Sequence, residues 1–199
     1  MNELKNTILP MSPLADPVFS GMFANAEVAG LAMESFIRAV LEADMEKLSG
    51  KIVSVTPQRV HTSAKRRSCR VDIESDTDAN EHIVTEIQID ADTRLMVRNL
   101  FSSSHIFRET SEKGDTSAEM ANRMPRVIHI NLLDHNIRKN STDLLEPFKI
   151  MYTKPPAEVA IPNFSGYNVQ LPQIEKMEPD FGNALYNWCL PYTSSTQRA

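Results

Sequence analysis

The stretch CRVDIESDTDANEHIVTEIQID, residues 69–90, places carboxylates and an amide among short apolar runs. The polar residues inside or beside those runs are Asp72, Glu74, Glu86 and Gln88. The central SDTDAN is rich in turn-forming residues, so the stretch predicts two strands joined by a short connection. Acidic residues are depleted in strands. These acids therefore form either a solvated sheet face or a site that binds something.

The spacing of the two runs suggests a register that decides which residues share a face. If residues 69–75 and 82–90 pair antiparallel, Asp72 lies opposite Glu86 and the turn centres on Ala79. The other predicted pairs are Arg70 with Gln88, Val71 with Ile87, Ile73 with Thr85, and Glu74 with Val84. Side chains alternate between faces along a strand. One face then carries Val71, Ile73, Thr85 and Ile87, and the other carries Arg70, Asp72, Glu74, Glu86 and Gln88.

Two like charges, Asp72 and Glu86, face each other in this register, with their Cβ atoms roughly 5 Å apart. Such a pair lowers stability unless something compensates for it. A bound Mg²⁺ would do so, because hard cations take carboxylate oxygens as ligands. The alternative is a solvent-exposed sheet face whose acids pair with Arg70. Both interpretations remain open at this point.

Hydrophobic periodicity predicts the elements around this pair of strands. We expect a helix over residues 25–47 and a β-branched strand over residues 51–60. A second helix, over residues 92–110, has Asp92 as its predicted N-cap. Its apolar residues are expected mostly on one side: Leu95, Val97, Leu100, Phe101, Ile106 and Phe107. Residues 111–123 look like an exposed loop, and residues 126–135 like a central strand covered on both faces.

The end of the chain is rich in proline, with two further strands predicted near FKIMYT and YNVQLPQI and a closing helix over residues 180–190. A chain of 199 residues fits one domain. The order helix, strand, strand, strand, helix, strand predicts an α/β fold with a mixed sheet. We expect a core over residues 14–135 and an extension, residues 136–199, that wraps it.

Charge and composition bound the partners and the compartment. The net charge is −5, whereas nonspecific nucleic-acid binders are typically basic. The basic run AKRRSCR is the exception, and it predicts either a solvated loop or a surface that contacts phosphates. Its charged residues are Lys65, Arg66, Arg67 and Arg70.

No apolar run approaches the roughly 18 residues that a membrane span needs, and we expect no signal peptide at the N-terminus. The expected location is the cytoplasm, without a membrane partner. Cys69 and Cys189 have the spacing of neither a disulfide framework nor a zinc site. The five histidines are not spaced as metal ligands, and we expect them to be structural or surface residues: His61, His82, His105, His129 and His135.

VDIES, then TEIQID, then a helix containing RLMVRNLF form an ordered set that resembles the PD-(D/E)XK nuclease superfold. The closer resemblance is to its transposase-like Rpn (recombination-promoting nuclease) branch, from near Leu14 to about His135. The segments LADPVFSGMFANAEVAGLAMESFIRAVL and RVIHINLLDH fit the branch, and the tail VQLPQIEKMEPDFGNALYNWCL resembles its strand and closing helix. The resemblance implies a restriction-endonuclease-like core, α-β-β-β-α-β, with its mixed sheet flanked by helices.

The resemblance also implies a site. Asp72, Glu86 and the backbone carbonyl of Ile87 would hold Mg²⁺ or Mn²⁺. Gln88 stands where the superfold usually has a lysine, although this branch commonly has glutamine there. Since glutamine is uncharged, Arg98 would supply the cation.

Further residues follow from the resemblance less directly. Arg94, one turn before Arg98, is a second candidate cation. Glu27 and Glu34 are candidates for an acid on the first helix, and the segment SGMF lacks the lysines that often follow the phenylalanine there. The basic run, Lys65, Arg66, Arg67 and Arg70, would contact DNA phosphates.

Two functions from different classes remain. The first is a Mg²⁺-dependent DNA endonuclease of the PD-(D/E)XK transposase-like type. The alternative is a catalytically inactive nuclease-fold protein that acts as a DNA-binding or protein-interaction module. The choice of DNA over RNA and a homodimeric state are expectations that no motif decides.

Overall fold

The structure is a computed structural model that describes residues 26–58, 60–63, 66–89, 91 and 94–192. For residues 26, 27, 60–63 and 66–70 it describes the backbone alone. The strands are β1 (Ile52–Pro57), β2 (Val60–Ser63), β3 (Arg66–Arg70), β4 (Ile73–Thr77), β5 (Glu81–Gln88), β6 (Arg126–Leu133), β7 (Leu145–Lys149) and β8 (Phe164–Gln170). The α-helices are α1 (Ala26–Ala43), α2 (Leu95–Glu109), α3 (Ser117–Arg123) and α4 (Ala184–Cys189), and two 3₁₀ helices span Leu171–Lys176 and Leu190–Tyr192.

Six strands form one mixed sheet in the order β1-β4-β5-β6-β8-β7. The β5–β6 and β6–β8 pairs are parallel, and the remaining pairs are antiparallel. Helices lie on both faces of this sheet, which is the arrangement of a restriction-endonuclease-like α/β fold. The predicted fold class is therefore confirmed. No helix among the described residues is long and apolar enough to cross a membrane.

The β4–β5 hairpin has the predicted register where its ladder is formed. Ile73 pairs with Thr85 and Glu74 pairs with Val84. The turn uses Asn80 at a φ of 58°, a left-handed conformation that asparagine tolerates better than most residues.

The ladder ends at Ile73, however, because the chain bends at Asp72. The predicted cross-strand pairs of Asp72 with Glu86, of Val71 with Ile87 and of Arg70 with Gln88 are thus absent from it, and Arg70 pairs instead with Val60 of β2. Val71 was also placed on the wrong face, since it packs with Val84 and with Ile106 of α2.

One face of the sheet packs against α1 and α4 in the main apolar core. Its central strands contribute aliphatic side chains, which are Ile73, Ile83, Ile87, Ile128, Ile130 and Leu132. Each fully buried side chain of this kind contributes roughly 2 kcal/mol. The closing helix joins this core through an edge-to-face contact of Trp188 with Phe36, at 5.7 Å between ring centroids.

The opposite face of the sheet lies under α2 and carries polar side chains beside a small apolar cluster. The buried residues of α2 are Leu95, Asn99, Ser102, Ser103, His105 and Ile106. The predicted apolar side of this helix is wrong in part, because Val97, Leu100 and Phe101 are exposed. The reason lies underneath the helix: the β5 and β6 side chains facing it include Glu86, His129 and Asn131, which match a polar helix face.

Three local predictions differ from the structure. The basic run is not a loop at Arg66–Arg70, because β3 pairs with β2 in a separate two-stranded sheet. The predicted exposed loop contains α3, whose N-cap Thr116 forms a capping box with Glu119. The last two strands begin earlier than FKIMYT and YNVQLPQI suggest, at Leu145 and Phe164.

The predicted cap of α2, Asp92, lies outside the described residues. The described helix begins at Leu95, and its N-cap is Arg94. The division of the domain between residues 135 and 136 stays a prediction.

Candidate active site

Asp72 sits at the bend that ends the β4–β5 ladder. Its Oδ2 accepts a hydrogen bond from the backbone N–H of Ile87 at 2.9 Å, and its carbonyl accepts one from the N–H of Gln58 at 2.6 Å. The carboxylate therefore takes the place of the strand partner that Ile87 lacks on that side. This arrangement fixes Asp72 against the residue that lies between Glu86 and Gln88.

Glu86, Gln88 and Arg98 contact one another beside this bend. Arg98 Nη2 lies 3.1 Å from Glu86 Oε2, and Arg98 Nη1 donates to Gln88 Oε1 at 3.0 Å. Gln88 Nε2 donates to the same Glu86 oxygen at 3.4 Å. The two strand residues lie on one face because they are two positions apart, and Arg98 reaches them from α2. The structure thus brings together three predicted site residues from two elements.

The environment of Glu86 opposes its negative charge. Its side chain is 2% exposed, and burial raises its pKa to about 7. The Arg98 guanidinium acts in the opposite direction, and the Asp72 carboxylate adds a further increase. The effect of Asp72 shows that the two carboxylates remain electrostatically coupled although they are not ladder partners. The solvated acidic face paired with Arg70 is therefore wrong for Glu74 and Glu86, which are buried.

The candidate acids of the first helix differ in what the structure describes. Glu34 Oε1 accepts hydrogen bonds from Arg38 Nε and Nη2 at 3.0 and 2.9 Å, and its Oε2 accepts one from the N–H of Ile52 at 3.2 Å. These bonds, first those from Arg38 and then the one from Ile52, lower the pKa of Glu34. Glu34 therefore ties α1 to the start of β1. Glu27 lies in α1, but its side chain is not described.

The basic candidates are described only in part. Arg66, Arg67 and Arg70 belong to β3, of which the backbone alone is described, and Lys65 lies outside the described residues. Arg94 is exposed at the start of α2, and its carbonyl accepts the N–H of Arg98.

The chain matches the model of one protein family, the PD-(D/E)XK nuclease family transposases, over residues 13–190. The chain belongs to this family. No curated protein and no solved structure matched the chain in the corresponding comparisons. Membership in a nuclease family indicates a hydrolase that acts on nucleic acid.

PD-(D/E)XK nucleases generally use divalent metal ions, for which carboxylate oxygens are the preferred ligands. Within the described ranges, no three His, Cys, Asp or Glu side chains form a metal-binding group. The available donors are the carboxylates of Asp72 and Glu86 with nearby carbonyl and amide oxygens. Mg²⁺ is often held by one or two carboxylates, with water and substrate phosphates completing its shell. The donor set of this family member fits one such ion.

A second charge cluster lies on the same sheet face, with two of its three members buried, and sequence reasoning missed it. His82 Nδ1 lies 2.6 Å from Asp76 Oδ1, and His82 Nε2 lies 3.3 Å from Glu74 Oε2. Burial disfavours the imidazolium, but the hydrogen bonds and charges of Asp76 and Glu74 raise the pKa of His82 to about 9. The predicted register contained this signal, because it sets Asp76 opposite His82.

The neighbouring His129 differs from His82, because its pKa is lowered and its ring is uncharged. His129 is fully buried, and burial followed by repulsion from His82 lowers its pKa to about 3. Its Nε2 lies 2.7 Å from Ser103 Oγ of α2. His129 is therefore a neutral residue that fixes α2 on β6, as expected of a structural histidine.

A polar row extends from Glu86 across the sheet. Glu86 is the partner of Asn131, Asn131 of Asn168, and Asn168 of Glu146. All four residues are buried, and Asn131 Nδ2 donates to Asn168 Oδ1 at 2.9 Å. Although β6 is mostly apolar in sequence, it places the polar Asn131 next to Glu86. The pairing of β5 with β6 determines this contact.

Proposed function

We propose that this protein is a divalent-metal-dependent DNA endonuclease that hydrolyses phosphodiester bonds. The observation that carries the proposal is the mutual contact of Glu86, Gln88 and Arg98, next to a carboxylate, Asp72, that is hydrogen-bonded to the intervening residue Ile87. Two acids, an amide and a cation lie together there, from the bend before β4, from β5 and from α2.

Asp72, Glu86 and the backbone carbonyl of Ile87 hold the ion, Mg²⁺ or Mn²⁺. When bound, such an ion lowers the pKa of a water molecule and offsets charge on the scissile phosphate. The Ile87 hydrogen bond keeps one oxygen of Asp72 in place, which fixes the direction of that carboxylate. Burial keeps Glu86 dry and thereby strengthens its attraction for a cation.

Gln88 and Arg98 act on the phosphate. The Gln88 amide can donate to and accept from a water molecule or a phosphate oxygen, but it carries no charge. Arg98 supplies the cation that a lysine at position 88 would have supplied, and its planar guanidinium can contact two phosphate oxygens. Arg94, one turn earlier on α2, is the secondary candidate.

DNA phosphates are the proposed partners of the basic run, Lys65, Arg66, Arg67 and Arg70. Such contacts attach the nucleic acid without reading its sequence, and they weaken as salt increases. A DNA substrate rather than RNA, a location in the cytoplasm and a homodimeric state remain predictions from the sequence.

The test is cleavage of supercoiled plasmid DNA with Mg²⁺ or with Mn²⁺, in parallel with an RNA substrate. We expect Asp72→Asn and Glu86→Gln to reduce the rate at least about 100-fold, which corresponds to roughly 3 kcal/mol of transition-state stabilisation. Glu46→Gln is the matched control, because it also removes a carboxylate that is paired with basic residues, Arg126 and Lys149. Cleavage that persists in both variants would contradict the assignment of Asp72 and Glu86 to the active site.

The competing function is that of an inactive nuclease-fold module that binds DNA or protein. One observation favours it, namely that Arg98 pairs with the buried Glu86 and offsets the negative charge that would attract a metal ion. Wild-type protein that binds plasmid DNA but cleaves it with neither metal would support this function over the first.

A further inference from the structure

The arrangement of Arg98 differs from that of a structural ion pair in the same protein. One terminal nitrogen of Arg98 contacts the carboxylate of Glu86, and the other donates to the uncharged amide of Gln88. Arg138, by contrast, places two nitrogens on the two oxygens of one carboxylate, Glu146, at 2.9 and 3.0 Å. Paired Arg–carboxylate contacts of the second kind are the stronger ones. Arg98 therefore holds Glu86 by a single charged contact.

The two ends of the Arg98 contact differ in their access to solvent. The Arg98 side chain is 42% exposed, and the Glu86 side chain is 2% exposed. The guanidinium thus covers a buried carboxylate from the open side. It can leave toward solvent without unpacking the sheet, whereas Glu86 cannot follow it.

One oxygen atom of Glu86 has two partners. Glu86 Oε2 pairs with the guanidinium of Arg98 and accepts a hydrogen bond from the amide of Gln88. A divalent cation that bound this oxygen would be repelled by the guanidinium of Arg98, whose Nη2 lies 3.1 Å from the same atom. Ion and guanidinium therefore compete for Glu86 Oε2.

We propose that Arg98 is an exchangeable counter-ion: it pairs with Glu86 and Gln88, and it moves to a substrate phosphate when a divalent cation binds at Glu86. This inference rests on the proposed function, and it adds that ion binding and phosphate binding are coupled through one side chain. The phosphate draws Arg98 away from the carboxylates, so each ligand strengthens the binding of the other to the same extent.

The primary test measures binding of Mn²⁺ alone, by isothermal titration and by electron paramagnetic resonance, without nucleic acid. We expect Arg98→Gln to tighten Mn²⁺ binding about tenfold, because the competing cation is gone. Arg108→Gln is the control, since it removes the same charge from an exposed position in the last turn of the same helix. It should change the affinity less than about threefold, as expected of a long-range effect that solvent weakens.

Three outcomes of this titration would overturn the exchange. The first is an Arg98→Gln affinity equal to or weaker than that of the wild type. The second is an equal gain in Arg108→Gln, which would mean that net charge alone acts. The third is no Mn²⁺ binding by either protein.

A second measurement follows Arg98 in the wild-type protein and needs no variant to be active. The side-chain NMR signals of Arg98, assigned by their loss in Arg98→Lys, should shift on titration with diamagnetic Mg²⁺. Unchanged Arg98 signals at saturating Mg²⁺ would contradict the exchange. Adding a short DNA duplex should increase the Mn²⁺ affinity of the wild type more than that of Arg98→Gln, and an equal increase would count against the coupling.

Failure of this inference is distinguishable from failure of the proposed nuclease activity. Metal-dependent plasmid cleavage together with an unchanged Mn²⁺ affinity in Arg98→Gln would contradict the exchange of Arg98 but support the nuclease activity. Tighter Mn²⁺ binding in Arg98→Gln without cleavage by the wild type would keep the exchange and remove the nuclease.

Discussion

The carboxylate of Asp72 accepts a hydrogen bond from the backbone N–H of Ile87 at 2.9 Å, where the β4–β5 ladder has already ended. An acid at this position therefore has two separable properties. Its oxygen satisfies a backbone donor, and its charge lies near Glu86. The two properties call for different substitutions.

Asp72→Asn and Asp72→Ala should separate these properties. Asparagine keeps an oxygen that can accept from Ile87 but loses the charge, so we expect near-normal stability and loss of cleavage. Alanine also leaves the Ile87 N–H without its acceptor, which should lower the free energy of unfolding by about 1 kcal/mol or more. Urea denaturation measures the stability difference. Equal stability of the two variants would contradict the role of the hydrogen bond.

Glu86 should make the protein less stable as the pH rises. Its pKa is raised to about 7 in the folded protein from an ordinary 4.5, so the folded state holds its proton more firmly than the unfolded state does. The resulting stabilisation is complete below about pH 4.5 and is lost as the pH rises through 7, by about 3 kcal/mol in total.

Glu86→Gln carries no such proton and provides the comparison. We expect the stability of the variant relative to the wild type to increase between about pH 4.5 and 7, and to level off above that range. Chemical denaturation at a series of pH values measures this difference. A difference that stays constant with pH would mean that burial does not raise the pKa of Glu86.

His82 should stabilise the protein in its charged form, whereas Glu86 does so in its neutral form. The pKa of His82 is raised from 6.5 to about 9, so its contribution is complete below about pH 6.5 and is lost as the pH rises through 9. We expect His82→Gln to reduce stability by about 3 kcal/mol near pH 6, because Glu74 loses its buried partner. The deficit should shrink toward pH 9.

His135→Gln serves as the control for the His82 substitution, since His135 lies outside the cluster formed with Asp76 and Glu74. Thermal unfolding of both variants and the wild type across this pH range gives the comparison. A His82→Gln deficit that does not depend on pH would contradict an imidazolium at this position.

Glu34→Ala should weaken the attachment of α1 to β1. The substitution leaves the N–H of Ile52 without its acceptor and removes the ion pair with Arg38, so we expect a loss of about 1–2 kcal/mol in the free energy of unfolding. Glu34→Gln keeps an acceptor for Ile52 and should lose less. Urea denaturation of the pair decides this, and an equal loss in both would assign the effect to the ion pair alone.

Much of the fold could be predicted because its signals are local. The turn residues of SDTDAN and the alternation on either side set the pairing of Ile73 with Thr85, which the structure contains. Three-residue and four-residue spacing placed α1 and α2 in the chain. The same register implied the contact of Asp76 with His82, although it was not drawn from the sequence. Such patterns predict helices, strands and hairpin pairing because they depend on neighbours within one or two turns or strands.

Other features could not be predicted because they depend on what packs across the sheet. The spacing of apolar residues in α2 placed Val97, Leu100 and Phe101 on the buried side, yet they are exposed. The strand β6 reads as apolar, yet Asn131 lies beside Glu86 and pairs with Asn168. No single element contains the information that a polar helix face and a polar sheet face meet.

The sequence by itself determined that Glu86 and Gln88 lie on a strand paired with the one that follows Asp72, because alternation and turn chemistry are properties of the local chain. Only the tertiary structure decided what surrounds them. The bend at Asp72 directs its carboxylate to Ile87, and α2 brings Arg98 from ten positions along the chain onto Gln88. Burial under that helix then sets the charge of Glu86, since desolvation depends on everything packed around a group and not on its neighbours in sequence.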